Sequence, residues 1–562
     1  MLSLLSFLSL LAIASSSSTN EQPRTFIVQV QRDSKPFVFP THQQWYTSSL
    51  SSISPGTAPL LLHTYETVFH GFSAKLSLSE ALKLQTLPHI IAVIPERVRH
   101  VHTTRSPQFL GLKTTDRAGL LKESDFGSDL VIGVIDTGIC PESIYGGPGL
   151  APGKMYPVVH AGSSEGGDGY SSSLCLEGSL DPKLVGGKIV LCDRGINSRA
   201  VKGEVVKKAG GVGMILANGV FDGEGLVADC HVLPATAVGA SGGDEIRRYM
   251  SAASKSKSPP PTATIIFRGT RVNVRPAPVV ASFSARGPNP QSPEILKPDV
   301  IAPGLNILAA WPDKVGPSGI PSDQRKIEFN ILSGTSMACP HVSGLAALLK
   351  AAHPEWSSAA IRSALMTTAY TVDNRGEQMI DESTGNVSTV FDFGAGHVHP
   401  QEAMNPGLIY DISSLDYMDF LCNSNYTLTN IQVITRRNAD CSGAKRAGHA
   451  GNLNYPSLTV VFQQYGKNHM STHFIRTVTN VGDANSVYKV TIRPPGGTVV
   501  TVQPEKLVFR RVGQKLNFLV RVETTAVKLA PGASSMKSGS IIWADGKHTV
   551  ASPVVVTMQQ PL

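Results

Sequence analysis

The sequence predicts a multidomain α/β protein that carries a parallel sheet under helices and a separate C-terminal β-sandwich. An apolar run at 130–135 (LVIGVI) is typical of a strand buried on both faces of a parallel sheet. A small-residue turn at 333–336 (SGTS) leads into an amphipathic helix that can cover such a sheet. From Asn454 onward apolar and polar residues alternate, which favours antiparallel strands with one face buried.

Length and composition indicate several folded domains. A chain of 562 residues is too long for one ordinary domain, and 16% charged with 41% hydrophobic residues is a globular composition. The net charge of +8 is dispersed, because the basic pairs Arg247-Arg248, Arg436-Arg437 and Arg510-Arg511 lie far apart. A nucleic-acid partner would need this charge gathered into a stripe, so we expect a solvated basic surface and no nucleic-acid binding.

The N-terminal residues have the pattern of a secretory signal. Residues 2–14 are apolar and uncharged, and Ala12-Ile13-Ala14 has the form of a cleavage site, so we expect a signal peptide at 1–18. The run is too short to cross a bilayer comfortably, and no later segment approaches that length, so no membrane span is expected. The sequons at Asn386 and Asn425 agree with a secretory route.

Seven cysteines fit an oxidising compartment. Two local spacings make Cys175–Cys192 and Cys422–Cys441 plausible disulfides. Cys140, Cys230 and Cys339 have no evident partner. The sequence has no CxxC and no His/Cys cluster, so no metal and no cofactor is expected.

The first domain-sized segment reads as a compact α+β unit. Residues 25–30 and 90–94 have the β-branched and aromatic content of strands, and residues 79–87 have helical spacing. A polar segment at 100–106 then follows, and it is suited to proteolytic cleavage.

The middle of the chain, 155–269, reads as a small inserted domain. We expect strands at 188–192 and 213–217 with a helix between them at 201–209. The segment 251–261 (SAASKSKSPPP) is predicted to be an exposed loop.

Ser336 lies at the mouth of the predicted helix, where backbone amides and the helix dipole can stabilise negative charge. A serine hydroxyl there can attack a carbonyl group only if a base takes its proton. Pro340 is expected in the first turn of this helix, and a second helix is predicted at 358–368. Asp136 lies at the exit of the predicted strand, the edge where α/β folds carry their sites.

The C-terminal segment is predicted to be a β-sandwich of roughly a hundred residues. Leu516, Phe518, Val520 and Val522 alternate strictly with polar residues. Asp545-Gly546 is a hairpin turn signal.

Taken together, VIGVIDTG around Asp136 and GTSMACPHVSG around Ser336 resemble the subtilase family of serine proteases (peptidase family S8). The order of aspartate before serine is that of subtilisin. Four further segments resemble the plant branch of that family, namely 281–289 (ASFSARGPN), 296–304 (LKPDVIAPG), 353–356 (HPEW) and 393–397 (FGAGH).

The resemblance implies a role for each part of the chain. Asp136 would orient a base, and Ser336 would be the nucleophile. The implied domains are an inhibitor I9-like propeptide (25–103) cut near Thr103-Thr104, a catalytic domain in two pieces (104–154 and 270–450), a protease-associated insert (155–269) and a fibronectin-III-like domain (454–562). Implied partners are protein or peptide substrates and the chain's own propeptide, in the extracellular space of a plant (apoplast or cell wall).

One departure from the family pattern concerns the base. The family carries it in a His-Gly-Thr-His segment between the aspartate and the serine, and this sequence has no such segment. Only His160 and His231 lie in that interval, and neither matches a catalytic signature. We expect both, and His341 in the serine helix, to be structural.

A second departure is the lack of the family's oxyanion-hole asparagine. Residues 136–143 run directly into 145–152, whereas in the family these segments flank a central block that supplies several strands and the base. The α/β sheet is therefore expected to be incomplete, with strands that lack partners.

Three interpretations remain open. The chain is a secreted serine endopeptidase, or an inactive product of alternative splicing, deletion or an erroneous gene prediction, or a secreted binding protein that uses its insert and sandwich domains. Fold resemblance alone does not separate them.

Overall fold

A computed structural model describes most of the chain. The residues outside the described part are 1–22, 32–33, 55–59, 66–69, 96–105, 113–118, 126–147, 164–168, 256–259, 267–274, 313–314, 439, 443, 445–447, 467 and 562. The chain divides into two compact units, 1–100 and 101–562.

The first unit is a four-stranded antiparallel sheet with two helices, in the strand order β2-β3-β1-β4. Phe26, Val28 and Val30 alternate with less buried residues and join the core under the helices. The helix and the two strands predicted from the sequence are confirmed. The elements are β1 (Arg24–Val30), α1 (His42–Ile53), β2 (Leu61–Tyr65), β3 (Gly71–Leu76), α2 (Leu78–Gln85) and β4 (Ile90–Pro95).

The second unit begins with two short helices, α3 (Ser106–Phe109) and α4 (Leu120–Glu123). Leu110 and Leu112, just after α3, and Leu120 on α4 pack into the core that also holds the helix carrying Ser336. The strand predicted at 130–135 lies outside the described residues.

A five-stranded sheet in the order β8-β7-β6-β5-β9 follows, with β5 to β8 parallel and β9 antiparallel. Both faces are buried: Ile189 and Leu191 join one core cluster, while Val190 and Cys192 join the other. Burial on both faces explains why residues 189–192, on strand β6, form a continuous apolar run. The elements are β5 (Tyr156–His160), α5 (Gly169–Ser173), α6 (Pro182–Val185), β6 (Ile189–Asp193), α7 (Arg199–Lys208), β7 (Gly213–Ala217), β8 (Ala235–Val238), α8 (Ala240–Lys255) and β9 (Thr262–Ala263).

The prediction of a loop from residue 251 is wrong, because α8 continues to Lys255. Ile246 and Met250 pack this helix against the sheet. Once that packing has formed the helix, the residues that follow Met250 extend it at little cost. The three prolines at 259–261 cannot continue a helix, which fits its end a few residues before them.

Around Ser336 the described residues contribute helices and a two-stranded antiparallel sheet, β10 with β11. Two isolated parallel bridges, Val280 with Asp381 and Ile301 with His397, join neighbouring segments. The parallel sheet that the structure describes is therefore the one at 156–238. The elements are β10 (Ile307–Ala310), β11 (Phe329–Leu332), α9 (Thr335–Ala352), α10 (Ser358–Thr367), α11 (Val390–Phe393), α12 (Pro400–Met404), β12 (Leu408–Ile409), α13 (Ser414–Asn423) and α14 (Leu428–Thr435).

Pro340 does not lie in the first turn of α9, which corrects the prediction. It is the sixth residue of a helix that begins at Thr335. There its missing N–H removes the amide that would bond to the carbonyl of Ser336, four residues earlier.

The C-terminal part packs two sheets face to face, in the orders β12-β14-β18-β16 and β13-β20-β19-β15-β17. Phe518, Val520 and Val522 are buried between the sheets, as their alternation predicts, and Asp545-Gly546 joins the last two strands. The strands are β13 (Leu458–Gln463), β14 (His469–Asn480), β15 (Val487–Arg493), β16 (Thr498–Gln503), β17 (Lys506–Val508), β18 (Lys515–Thr525), β19 (Ser534–Ala544) and β20 (Thr549–Gln559).

Both predicted disulfides, Cys175–Cys192 and Cys422–Cys441, are formed. Among the described cysteines, Cys230 and Cys339 remain thiols, and Cys140 lies outside the described residues. None of the helices in the described ranges combines the length and the apolar character that a bilayer crossing needs.

Candidate active site

Ser336 is the second residue of α9, an 18-residue helix, and its side chain is partly exposed. This is the position predicted from the sequence, at the positive end of the helix dipole. Asp136, the other predicted site residue, lies outside the described residues, so the distance between the two side chains is not part of the described geometry.

Two glycines shape the turn before Ser336. Gly334 caps α9 with φ +153° and ψ 165°, a conformation open essentially to glycine alone. Its N–H donates to the carbonyl oxygen of Gly304 at 2.8 Å. A Cβ on Gly304 would lie only 2.9 Å from the carbonyl oxygen of Gly334 and 3.2 Å from Cβ of Ala338, so a side chain there would push the helix start away.

Asn306 forms a second link to the same turn, and sequence reasoning missed it. Its N–H donates to Oγ of Ser333 at 2.7 Å, and the Ser333 hydroxyl donates back to Oδ1 of Asn306 at 3.1 Å. Asn306 has φ +52°. The sequence signal that could have found it is an asparagine immediately before a strand, since asparagine tolerates the left-handed region better than other side chains.

His341 lies five residues beyond Ser336 on α9, which places it about 140° further around the helix axis. Its ring is buried, and its Nδ1 is 2.6 Å from the carbonyl oxygen of Met337. Burial lowers the pKa of His341, while the backbones of Met337 and Pro303 oppose that shift. These contacts agree with a structural role.

The two histidines between Asp136 and Ser336 both lie in the 155–269 region, one paired with a carboxylate and the other buried. Nε2 of His160 lies 3.2 Å from Oδ2 of Asp193, and that carboxylate also accepts from Arg247 at 2.5 Å. Burial lowers the pKa of His231 to about 4, with smaller contributions from Arg199 and Arg325. His231 is therefore neutral near pH 7 and buried inside the insert.

His397, at the end of the FGAGH segment, is a buried residue that sequence reasoning did not single out. Its ring packs edge-on against Phe109 and lies 5.1 Å from the ring of Tyr370. Burial lowers its pKa to about 4, opposed by the carbonyl of Val398. The His397 ring therefore contacts Phe109, near the start of the second unit, and Tyr370, with which His397 also forms an isolated β-bridge.

Within the described part of the chain, no three His, Cys, Asp or Glu side chains are arranged to hold a metal ion. The chemistry that this arrangement offers is that of a serine hydroxyl at a helix N-terminus. Such a hydroxyl can form an ester with an acyl group if a base removes its proton.

Four family models match parts of the sequence, and the subtilase match begins inside α7 of the insert, where it overlaps the PA-domain match. Residues 206–387 match the subtilase family, 25–102 the peptidase inhibitor I9 family, 154–246 the PA domain and 452–556 a fibronectin type-III domain. The subtilase match contains Ser336 and not Asp136.

Curated proteins of Arabidopsis thaliana are similar along nearly the whole chain. Subtilisin-like protease SBT1.5 is 54% identical over 750 residues, covering 96% of this chain and 97% of that protein. Subtilisin-like protease SBT1.6 is 39% identical over 762 residues, covering 97% and 98%. Because this chain has 562 residues, at least 188 positions of the first alignment (750 less 562) carry none of its residues.

Some solved structures are similar to a small part of the chain. The CooA pilin subunit of enterotoxigenic Escherichia coli aligns at 11% identity and a TM-score of 0.15, covering 18% of this chain and 90% of that one. A likeness this weak supports no conclusion about function.

Proposed function

Because the chain belongs to the subtilase family of serine proteases, we propose that Ser336 is the nucleophile of its peptide-hydrolysing site and that this chain lacks the base to activate it. Asp136 would orient that base. The observation that carries the first part is the position of Ser336 at the start of α9, behind a turn that only glycine can form at Gly334.

Three observations support the loss of the base. The sequence has no His-Gly-Thr-His segment. The two histidines between Asp136 and Ser336 are engaged inside the insert, His160 with Asp193 and His231 by burial. The alignments to relatives contain at least 188 positions that this chain does not fill, which is the size expected of a missing central block.

We also propose the domain boundaries and the route of the protein. The signal peptide is 1–18, the propeptide 25–103, the catalytic domain 104–154 and 270–450, the insert 155–269 and the fibronectin-III-like domain 454–562. The protein is secreted to the apoplast or cell wall, supported by two disulfides and by the exposure of Asn386 and Asn425. Expression in secretory cells with glycan mapping at both asparagines tests this route.

A secreted binding role is the second candidate. The loop after β7 exposes Val220 and Phe221 almost completely, at 88% and 105% of their reference areas. Large apolar side chains exposed side by side are typical of a contact surface.

The test of the main proposal is labelling of the purified chain with a fluorophosphonate, which reacts with an activated serine. We expect no labelling at Ser336, because its hydroxyl keeps its proton. In a subtilisin, a member of this family from which the magnitude is taken, removing the base lowers turnover by about 10⁶-fold. A version with the family's central block restored should label, and Ser336→Ala in that version should not.

Labelling of the unmodified chain would contradict the loss of the base. If the unmodified chain is labelled and Ser336→Ala abolishes labelling, a base is present and this part of the proposal is wrong. His160→Ala and His231→Ala would then identify which histidine supplies it.

A further inference from the structure

We propose that Asn306 is a positioning residue that couples the insert to the turn carrying Ser336. The proposal rests on the role of Ser336 as nucleophile and adds a route by which the insert influences its position.

The amide oxygen of Asn306 lies at a junction of two parts of the chain. Oδ1 accepts from the Ser333 hydroxyl at 3.1 Å and from the backbone N–H of Ala228 at 3.2 Å. Ser333 is three residues before Ser336, whereas Ala228 belongs to the insert loop between β7 and β8. One oxygen atom therefore joins the insert to the start of α9.

The backbone of Asn306 makes the third bond of this junction. Its N–H donates to Oγ of Ser333 at 2.7 Å, and the left-handed φ of +52° accompanies this arrangement. Glycine also adopts this conformation but has no amide oxygen, and aspartate tolerates it while keeping an acceptor at the same place. The two substitutions therefore separate the backbone requirement from the side-chain bond.

The insert side of the junction is fixed to its own domain and to the rest of the unit. Asp229, next to Ala228, accepts from Nε of Arg199 on α7 at 2.6 Å. Ser322 donates to Glu204, also on α7. A Cβ on Gly223 would lie 2.7 Å from the carbonyl oxygen of Ser383, so the loop packs closely on the part that carries Ser336. A loop held at these points can transmit a displacement of the insert to Asn306.

On the other side of the junction, few residues separate Ser333 from Ser336. Ser333 is 8% exposed, and the next residue, Gly334, donates to the carbonyl of Gly304 at 2.8 Å. A shift of Ser333 therefore moves the cap of α9, and Ser336 follows two residues later. The insert thus contributes to the placement of the nucleophile without contacting it.

The experiment is hydrogen–deuterium exchange of the full chain, followed by mass spectrometry of peptides covering 333–338 and 225–231. Asn306→Gly should speed exchange in both segments by about tenfold, because it removes the oxygen that both donors share. Asn306→Asp should leave both segments within about twofold of the unmodified chain. Asn485→Gly is the matched control, since Asn485 also has a left-handed φ (+58°) but lies in the sandwich, and it should change neither segment.

A double-mutant cycle tests the pairing itself. Ser333→Ala should speed exchange of 333–338, and adding Asn306→Gly should increase that effect no further, because both changes remove the same bond. In 225–231 the added Asn306→Gly should still speed exchange, since only that change removes the acceptor of the Ala228 N–H. The proposal is overturned if Asn306→Gly changes only one segment, if Asn306→Asp acts like Asn306→Gly, or if the two substitutions are additive in 333–338.

Exchange does not depend on hydrolysis, so this result and the fluorophosphonate result are independent. Ser336→Ala should leave the exchange of 225–231 unchanged. A chain whose two segments are coupled but which is labelled at Ser336 would overturn the missing base alone. An unlabelled chain whose segments are not coupled would overturn the role of Asn306 alone.

Discussion

The backbone near Ser336 requires glycine at two positions, at one because of the backbone torsion angles and at the other because a side chain would meet neighbouring backbone. Gly334 has a φ of +153°, and Gly304 lies against the carbonyl oxygen of Gly334. Neither requirement is visible in hydrophobic periodicity, because one is a torsion angle and the other a contact across 30 residues of sequence.

At Gly304, substitution by alanine should reduce the free energy of unfolding by about 1–3 kcal/mol, since the new methyl group meets backbone and cannot be accommodated by rotating a side chain. Gly344→Ala on α9 is the control, because a Cβ there has nothing within 4 Å. That change should raise stability by about 0.5–1 kcal/mol through helix propensity. Urea unfolding measures both, and equal effects would contradict the close approach at Gly304.

At the scale of elements, one helix and one strand join the part that carries Ser336 to the sandwich. The backbone N–H of Tyr410, just after β12, donates to Oγ of Ser363 on α10 at 2.8 Å. The Tyr410 hydroxyl is buried within 2.8 Å of Oγ of Ser552 on β20. The family match for the sandwich begins only at residue 452, yet β12 already pairs with β14. The boundary of a fold can thus differ from the boundary of a sequence family.

The two disulfides differ in exposure, and so they should differ in their reduction. Cys175 and Cys192 are fully buried in the insert core, whereas Cys422 and Cys441 are partly exposed beside α13 and α14. Reduction needs attack by an external thiolate, which must reach the sulfur atoms. Under native conditions with limited reductant, mass tags should therefore appear on Cys422 and Cys441 first. Tagging of Cys175 and Cys192 at the same rate would show that the insert opens as readily as the segment that contains α13 and α14.

Much at the element scale was predictable from the sequence. Strand β6, helix α7 and the alternating residues of β18 follow from patterns within a few residues of one another. The extent of α8 and the turn of α9 that holds Pro340 were not predicted correctly. The extent of α8 depends on its packing against the neighbouring sheet. The position of Pro340 within α9 depends on where that helix begins, next to the contact between Gly334 and the distant Gly304.

At the scale of the whole molecule, several buried groups make stability depend on pH. Burial lowers the pKa of both His231 and His397 to about 4. In the unfolded chain a histidine titrates near 6.5. Between these values the unfolded chain binds protons that the folded chain does not, so acid favours unfolding.

We therefore expect the free energy of unfolding to fall as the pH drops from 6.5 towards 4, by about 2 kcal/mol for each of these two histidines at pH 5. Asp323 acts in the same direction at lower pH, because its bonds to Arg325 and Ser318 lower its pKa. Chemical unfolding at pH 7 and pH 5 measures the change. In His397→Gln the change should be smaller, and an unaltered slope would contradict the buried neutral state of His397.

The propeptide should remain attached to this chain. Under the proposed function, removal of this segment by the chain itself would need an activated Ser336, and the proposal gives this chain no base to activate it. The purified protein should therefore keep residues 25–103, as read by N-terminal sequencing after expression in a protease-deficient host. A new terminus at Thr104 that persists in Ser336→Ala would indicate another protease. A cut that requires Ser336 would contradict the missing base.

The sequence by itself determined the family, the helix that carries Ser336, the alternating strands of the sandwich and both disulfides. Each of these depends on residue types at short spacings, which the printed sequence contains in full. Only the tertiary structure decided the need for glycine at Gly304, the pairing of His160 with Asp193, the burial of His231, and the junction at Asn306. These depend on contacts between residues far apart in the chain, 27 positions for Ser333 and 78 for Ala228 in the case of Asn306. No local pattern encodes which remote atoms will meet, because that is settled by the packing of whole elements.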